Sequence, residues 1–378
     1  LGKLQVREQA DGDVMKSKLG IYIINLGAFD AVDYFRRAQP RIALSMDHNL
    51  DTWKEIRKVS PNTFVIGRYY IDDPDQHFED NPEMRAEQFF QKMKPDADKM
   101  RGVYDAWMSY NESVVKTVDS AKALSRFHVR WGDLMRQAKL ISCAYSFATG
   151  NPEIELWEHL AEGLRHCDLL SLHEYSAPTM ERDQSWLCLR YRRAMNALPA
   201  DARRPIVITE TGIDGGTLPD PTQAQRGWTF YTDEAGYVST LKWYDDELKK
   251  DNNVIGAAIF AMAGWGINGS FSIIGRNQIR DYLAQGGTPP PVAIPPPTPP
   301  TPEQAAISAA KKLTWMPINT GGALYQFAQE NNLGYPQTDE FEFTFQNQAY
   351  VAQVYNLGIV YVKKGDWGNC KWVKKPLT

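Results

Sequence analysis

The chain has 378 residues, 43% of them hydrophobic and 23% charged, with a formal net charge of −4. That length suits one large domain plus a smaller one, and the composition excludes a chain disordered throughout. A slightly acidic chain gives no reason to expect nucleic acid as a partner, and no run of about 18 apolar residues is present to span a membrane.

Four cysteines, Cys143, Cys167, Cys188 and Cys370, show neither a CxxC spacing nor a histidine-rich partner cluster, so no metal site is expected. Cys143 and Cys167 fall beside consecutive predicted strands and could be neighbours, but the reading favours buried free thiols. No signal-peptide pattern opens the chain, and its first residues are taken as those left after processing or trimming.

Residues 1–17 read as a loose polar arm. Apolar runs then recur as strands at 18–25, 41–47, 63–68, 102–112, 139–145, 168–173, 206–210 and 254–260. Between them lie helical patterns at 30–38, after His48 to about 58, from about 82 to 93, after Glu112 to about 138, and at 153–167, 186–198 and 231–250. Strands alternating with helices imply a parallel sheet with crossover helices. Eight such units over roughly 250 residues predict a (β/α)8 TIM barrel over residues 18–287. An open doubly wound sheet would want a glycine-rich first turn, and the first strand runs instead into Asn25, Leu26, Gly27, Ala28 and Phe29, which cradle no phosphate.

Residues 288–302 hold a proline-rich stretch, read as a semi-rigid polyproline linker of up to roughly 45 Å rather than as a peptide ligand. Such linkers are commonest in secreted, modular enzymes, so a secreted protein is expected. Beyond it, residues 303–378 read as a small α+β accessory domain. Helices are expected at 303–313 and 322–332, and a three-stranded sheet from 341–345, 349–355 and 358–362. Its aromatic residues, among them Trp315, Trp367, Trp372, Tyr325, Tyr350, Tyr355 and Tyr361, are read mostly as core. Attachment to polysaccharide or a cell surface is the other reading of the module.

The fourth strand ends in Asn111-Glu112 and the seventh in Glu210. In a parallel barrel, residues at the C-terminal ends of strands face one mouth. Two carboxyls delivered there form a pair suited to breaking a glycosidic bond with retention, which needs them about 5–5.5 Å apart. One must stay protonated to donate to the leaving oxygen; burial and a negative neighbour raise its pKa. The other must be ionised to attack, and hydrogen bonds hold it so. Taken alone, each glutamate could equally be a helix cap or loop carboxylate.

Asn-Glu after the fourth strand with Glu after the seventh resembles the clan A retaining glycoside hydrolases, over about residues 18–285. The resemblance implies Glu112 as acid/base, Glu210 as nucleophile, and Asn111 as the ligand of the sugar 2-hydroxyl. His173 and Tyr175, after the sixth strand, resemble the clan's pair in which the tyrosine hydrogen-bonds the nucleophile. Trp265, past the eighth strand, matches the platform under the reactive sugar. No cofactor is implied, and the partner is a carbohydrate substrate.

Many members carry an arginine at the end of the second strand, where this chain has Asp47, His48 and Asn49. Arg68, on the third strand, could take over the orienting of the nucleophile, bind an acidic sugar, or make a plain salt bridge. Glu174 is a rival carboxylate that strand alternation turns away from His173 and Tyr175. Asn25, Asp47, His48, Tyr69, Tyr70 and Tyr145 complete a polar, aromatic rim. A non-catalytic glycan-binding barrel of a surface protein, or a cell-wall lytic enzyme targeted by its C-terminal module, are the alternatives. No Gly-x-Ser-x-Gly elbow is present to suggest an α/β-hydrolase esterase.

Overall fold

The predicted apolar runs form eight parallel strands: β1 Leu19–Ile23, β2 Ile42–Ser45, β3 Phe64–Gly67, β4 Ala106–Met108, β5 Ile141–Phe147, β6 Leu169–Ser176, β7 Ile206–Ile213 and β8 Val254–Met262. They pair in sequence order and β8 closes on β1, which makes a TIM barrel. The computed structural model describes residues 16–72, 75–263, 269–285, 287–292, 294 and 319–375. Within it the chain divides into two compact units, Leu1–Pro296 and Pro297–Thr378. Most of the expected linker, the expected helix 303–313, Trp315 and Trp265 lie outside the described residues.

Helices α1 Ala31–Ala38, α2 Leu50–Val59, α3 Pro82–Lys99, α4 Val118–Gln137, α5 Ala161–His166, α6 Tyr191–Ala197, α7 Glu234–Lys249 and α8 Asn277–Ala284 connect the strands. Asp30, Asn49, Asn81, Thr117 and Asp233 cap five of them, each side chain accepting a backbone N–H of the first turn. No helix among the described residues is long and apolar enough to cross a membrane.

Several boundaries differ from the sequence reading for local reasons. Strand β4 is only three residues long, because Val103 and Tyr104 still donate to the Met100 carbonyl in the turn that ends α3. Helix α3 runs on through Pro95, since Phe89, Phe90, Met93 and Ala97 are buried and that packing outweighs the proline's cost of about 3 kcal/mol. The expected helix 153–167 begins as a 3-10 stretch, Ile154–Leu160, after a residue that makes no side-chain cap. Helix α6 starts later than predicted, after a turn in which Trp186 and Leu187 donate to the Asp183 carbonyl.

Two apolar layers follow from strand alternation. Outward-facing strand residues such as Ile21, Ala43 and Val65 pack with Phe35, Trp53, Phe89 and Trp131 of the helices in the larger core. Inside the barrel, Ile42, Leu44, Phe64, Ile66, Met108, Leu169 and Val207 fill the lower floors. Going up the strands, that interior turns polar: Tyr22, Arg68, His173, Tyr175 and Glu210 are all buried. A register shift helps place them. Leu172 pairs with Ile208 but His173 pairs with Glu210, so Thr209 is the extra residue of a bulge that re-aims Glu210.

The second unit has helix α9 Ala323–Glu330 and strands β9 Phe341–Phe345, β10 Gln348–Val354, β11 Gly358–Lys363 and β12 Lys371–Lys374. They form an antiparallel sheet of order β12-β11-β10-β9. The expected sheet had three strands. The fourth, β12, is four exposed residues flanked by lysines, too short for its alternation to stand out. Leu324 and Ala328 of α9 pack with Val351, Val360 and Val362 on one face of the sheet. The four cysteines are free, and all but Cys370 are buried.

Candidate active site

Glu210 anchors the site. Its Oε1 accepts from Arg68 Nη1 at 3.0 Å, and its Oε2 accepts from the Tyr175 hydroxyl at 2.9 Å. The same Arg68 nitrogen donates to the Tyr22 hydroxyl at 2.6 Å, so the guanidinium is held from β1 while it faces β7. Tyr22 did not figure in the sequence reading; its inward alternation with Ile21 and Ile23 on β1 is the signal that could have found it. Burial keeps the Tyr175 phenol well above its ordinary pKa, so it stays protonated and donates.

Glu112 lies in the loop beyond β4, with its backbone in the left-handed region at φ 50°. Its N–H donates to the Ser146 carbonyl at the end of β5, 3.0 Å away. Such a conformation costs a non-glycine residue of order 1–3 kcal/mol and persists where the surroundings dictate it. His173 Nδ1 lies 2.8 Å from Glu112 Oε1 and 3.5 Å from Glu210 Oε2. One carboxylate oxygen each of Glu112 and Glu210 and one ring nitrogen of His173 fall within 4.8 Å of one another. Thr149 fixes the top of β6, donating to the His173 carbonyl and accepting from the Tyr175 N–H.

Burial pushes both carboxyls up. At Glu112 the hydrogen bond and charge of His173, with Arg68, outweigh burial and hold it below its ordinary value. At Glu210 burial prevails over the pull of His173 and Arg68, and the Glu112 charge adds to it. This order is the reverse of the sequence expectation, and the reason is that His173 makes its closer contact with Glu112. Because the ring reaches both carboxyls, their protonations are coupled.

The site opens into two hollows that share Glu112 and Ala148. One, of about 340 Å³, is lined also by Thr149, Tyr175, Glu210, Asp214 and Phe260. The other, of about 750 Å³, is lined by Gln76, Asp80, Arg85 and Asn111 among others. Asn111 Oδ1 and His173 Nε2 are buried and lack a partner among the described residues. Among the described residues, Glu112, His173 and Glu210 are also a set whose atoms lie close enough to hold a cation. Arg68 at 3.0 Å from Glu210 opposes that, since it already supplies a positive charge there.

The remaining predicted site residues are placed elsewhere. Asn25 is exposed and accepts from the Gly27 N–H, capping a 3-10 turn. Asp47 accepts from the N–H groups of Leu26 and Asn49, tying the loop after β1 to that after β2. Tyr70 is 57% exposed and donates to Asp72 at 2.7 Å; none of these three lines either hollow. Tyr145 requires a correction. It is fully buried, its hydroxyl donates to the Leu160 carbonyl at 2.6 Å, and its ring stacks on Phe147. Positive φ at Tyr145 and Ser146 and a register shift between β5 and β6 turn it toward the helices. Glu174 also faces the helices, accepting from the N–H groups of Leu189 and Tyr191 and from the Tyr244 hydroxyl. Asp214 and Phe260 line the smaller hollow and were missed; nothing in their local sequence distinguishes them.

No protein-family model matches the chain, and no curated protein matches its sequence. Among solved structures it is similar to a GH2 β-galacturonidase from Eisenbergiella tayi bound to galacturonate, at 12% identity over 72% of this chain and 52% of that one, TM-score 0.45. It is similar to a β-glucuronidase from Bifidobacterium dentium complexed with coumarin-3-O-glucuronide, at 11% identity over 71% and 47%, TM-score 0.47. A third is a glycoside hydrolase family 17 β-1,3-glucanosyltransferase from Rhizomucor miehei, at 12% identity over 75% and 98%, TM-score 0.41. The chain spans about half the length of the first two. Likeness this distant identifies no family and assigns no residue.

Proposed function

We propose that the barrel is a retaining glycoside hydrolase acting on an oligosaccharide or polysaccharide, with Glu210 as nucleophile and Glu112 as general acid/base. The observation that carries this reading is the pair's geometry. One carboxylate oxygen of Glu112 and one of Glu210 lie within 4.8 Å of each other, a nearest-atom distance that favours the closer-spaced arrangement. Glu210 is gripped by Arg68 and Tyr175, and Glu112 lies beside open hollows. Retaining enzymes hold their carboxyls about 5–5.5 Å apart, whereas inverting enzymes leave about 6.5–9.5 Å for a water.

The first step runs from the state with Glu112 protonated and Glu210 ionised, the opposite of the order that burial and His173 favour in the free site. From it Glu210 attacks the anomeric carbon while Glu112 gives its proton to the departing oxygen. The C–O bond to the leaving group breaks, and an ester bond to Glu210 forms. Arg68 and Tyr175 hold the attacking carboxylate in place, so its orientation costs nothing at the moment of reaction. Esterification removes the charge on Glu210 and with it a repulsion that favours protonated Glu112. Glu112 then acts as base, taking a proton from the water that cleaves the ester. His173, 2.8 Å from Glu112, is placed to favour that ionised form. The unpartnered Asn111 Oδ1 and His173 Nε2 offer hydrogen bonds to sugar hydroxyls.

The test is reducing-sugar release from a broad polysaccharide panel, comparing wild type with Glu210→Ala. Activity should vanish in the variant and return with added azide as a glycosyl azide of inverted configuration. Release that survives Glu210→Ala would sink the assignment. Tight glycan binding without any release would leave a lectin-like barrel instead.

A further inference from the structure

The sheet of the second unit has two unlike faces. One is covered by α9. The register puts Phe341, Phe343 and Phe345 of β9 on the other face, with Tyr350 opposite Phe343 and Tyr361 beside Ala352. The three phenylalanines are 42%, 39% and 57% exposed. Alternate residues on a strand recur roughly every 7 Å, so the rings make a ladder, and Phe343 stacks on Tyr350 at 5.2 Å and 20°. Ala352, though on this face, is 1% exposed, fenced in by the taller Phe341 and Tyr361 opposite it. A contiguous exposed aromatic field of this kind marks an interaction surface.

Charge selects the partner. Lys363 pairs with Tyr350 and Lys371 with Tyr361 on the same face, and both lysines are exposed. No acidic residue among the described strand positions projects from it; Glu342 of β9 falls on the other face. A second copy of the chain laid on this face would oppose lysines to lysines. A protein partner would have to bury them, and lysine is depleted from interface cores. A hydrated anionic sugar polymer meets every feature, because sugar rings stack on aromatic faces, hydroxyls bond Gln348 and the tyrosines, and acid groups pair with the lysines.

We propose that the Phe341–Phe343–Phe345 ladder, with Tyr350, Lys363 and Lys371, is a binding face for an anionic polysaccharide. It is separate from the barrel site and independent of the catalytic reading. The full chain carrying Glu210→Ala is run by affinity electrophoresis through gels containing carboxymethylcellulose or hydroxyethylcellulose, which share a backbone and differ in charge. Retardation by the anionic polymer is expected, weakening as salt rises from about 0.05 to about 0.3 M. Phe345→Ala and Lys371→Glu should each weaken it about tenfold, roughly 1.4 kcal/mol, with the thermal midpoint unchanged, while Lys371→Arg should retain it. Equal retardation of wild type and both variants would overturn the proposal. So would equal retardation by the neutral polymer, capture by phosphatidylglycerol vesicles that the same variants abolish, or a concentration-dependent dimer that Phe345→Ala disrupts. Should Phe345→Ala melt early, failure of Lys371→Glu to weaken binding decides the matter alone.

Discussion

Glu174 and Glu210 sit on adjacent strands, β6 and β7, and are 1% and 7% exposed. Burial raises the pKa of both, yet only one has the surroundings that the proposed chemistry needs. Glu174 points between the strands and helices and accepts from two backbone N–H groups and the Tyr244 hydroxyl. Those bonds fasten the start of α6 and the flank of α7 to β6, so its carboxyl works as a tie. Glu210 points into the barrel, where it meets a guanidinium, a phenol, an imidazole and a hollow wide enough for a ligand. Depth of burial therefore does not pick out the carboxylate proposed as nucleophile. The charge and solvent access of its partners do.

The largest effect should come from exchanging each for its amide. Glu210→Gln is expected to lower kcat of the folded fraction by about 10⁴-fold or more, and it lowers the urea midpoint as well because buried Arg68 loses its counter-charge. Glu174→Gln is expected to act on stability alone. It puts an amide against backbone donors, costs about 1–3 kcal/mol of stability, and leaves kcat of the folded fraction within a few-fold. Loss of turnover in folded Glu174→Gln, with Glu210→Gln still active, would invert the comparison.

A smaller effect isolates one partner. The Tyr175 hydroxyl helps to hold Glu210 ionised against burial. Removing a hydrogen bond to a charged group loses about 1.5–3 kcal/mol, so Tyr175→Phe should lower kcat/KM about 10- to 100-fold. Glu210 then rises further, and because attack needs its ionised form, activity is lost on acidification at a higher pH than in wild type. A pH profile of kcat/KM whose acid limb stays in place would remove Tyr175 from this role.

The barrel was legible because each strand is an apolar run bounded by polar residues, and parallel strands buried on both faces read that way. Glu112, Arg68 and Glu210 are read from predicted strand ends, and His173 and Tyr175 from the resemblance of the sixth-strand end to the clan; the structure brings these five side chains together. What stayed hidden depends on backbone irregularity. The extra residue at Thr209, the left-handed Glu112, and the turn at Tyr145 and Ser146 each redirect side chains without leaving a compositional mark, so Tyr145 was expected at the mouth and lies behind it. The contact from Arg68 to Tyr22 links β3 to β1, and no local pattern encodes a contact between strands. In the second unit, β9 reads correctly as a strand, but alternation cannot say which of its faces the helix covers.

The smallest effect concerns the tie alone and separates its titration from that of the proposed nucleophile. Burial pushes the Glu174 carboxyl from 4.5 to about 7, so the folded chain keeps this proton to higher pH than the unfolded chain. Its contribution to stability is complete below about 4.5 and is lost as pH rises through 7, at about 1.4 kcal/mol per pH unit. His128 runs the other way. Burial lowers it from 6.5 to about 3, so its contribution is present above 6.5 and is lost as pH falls toward 3. Between about 4.5 and 6.5 the two slopes oppose each other. Glu174→Gln removes one of them, so stability relative to wild type should rise with pH by about 1.4 kcal/mol per unit across that window. Urea unfolding at half-unit intervals of pH reads the difference directly. Parallel wild-type and variant curves would mean that the Glu174 carboxyl does not titrate in this range, and that its burial is relieved in some way the three hydrogen bonds do not show.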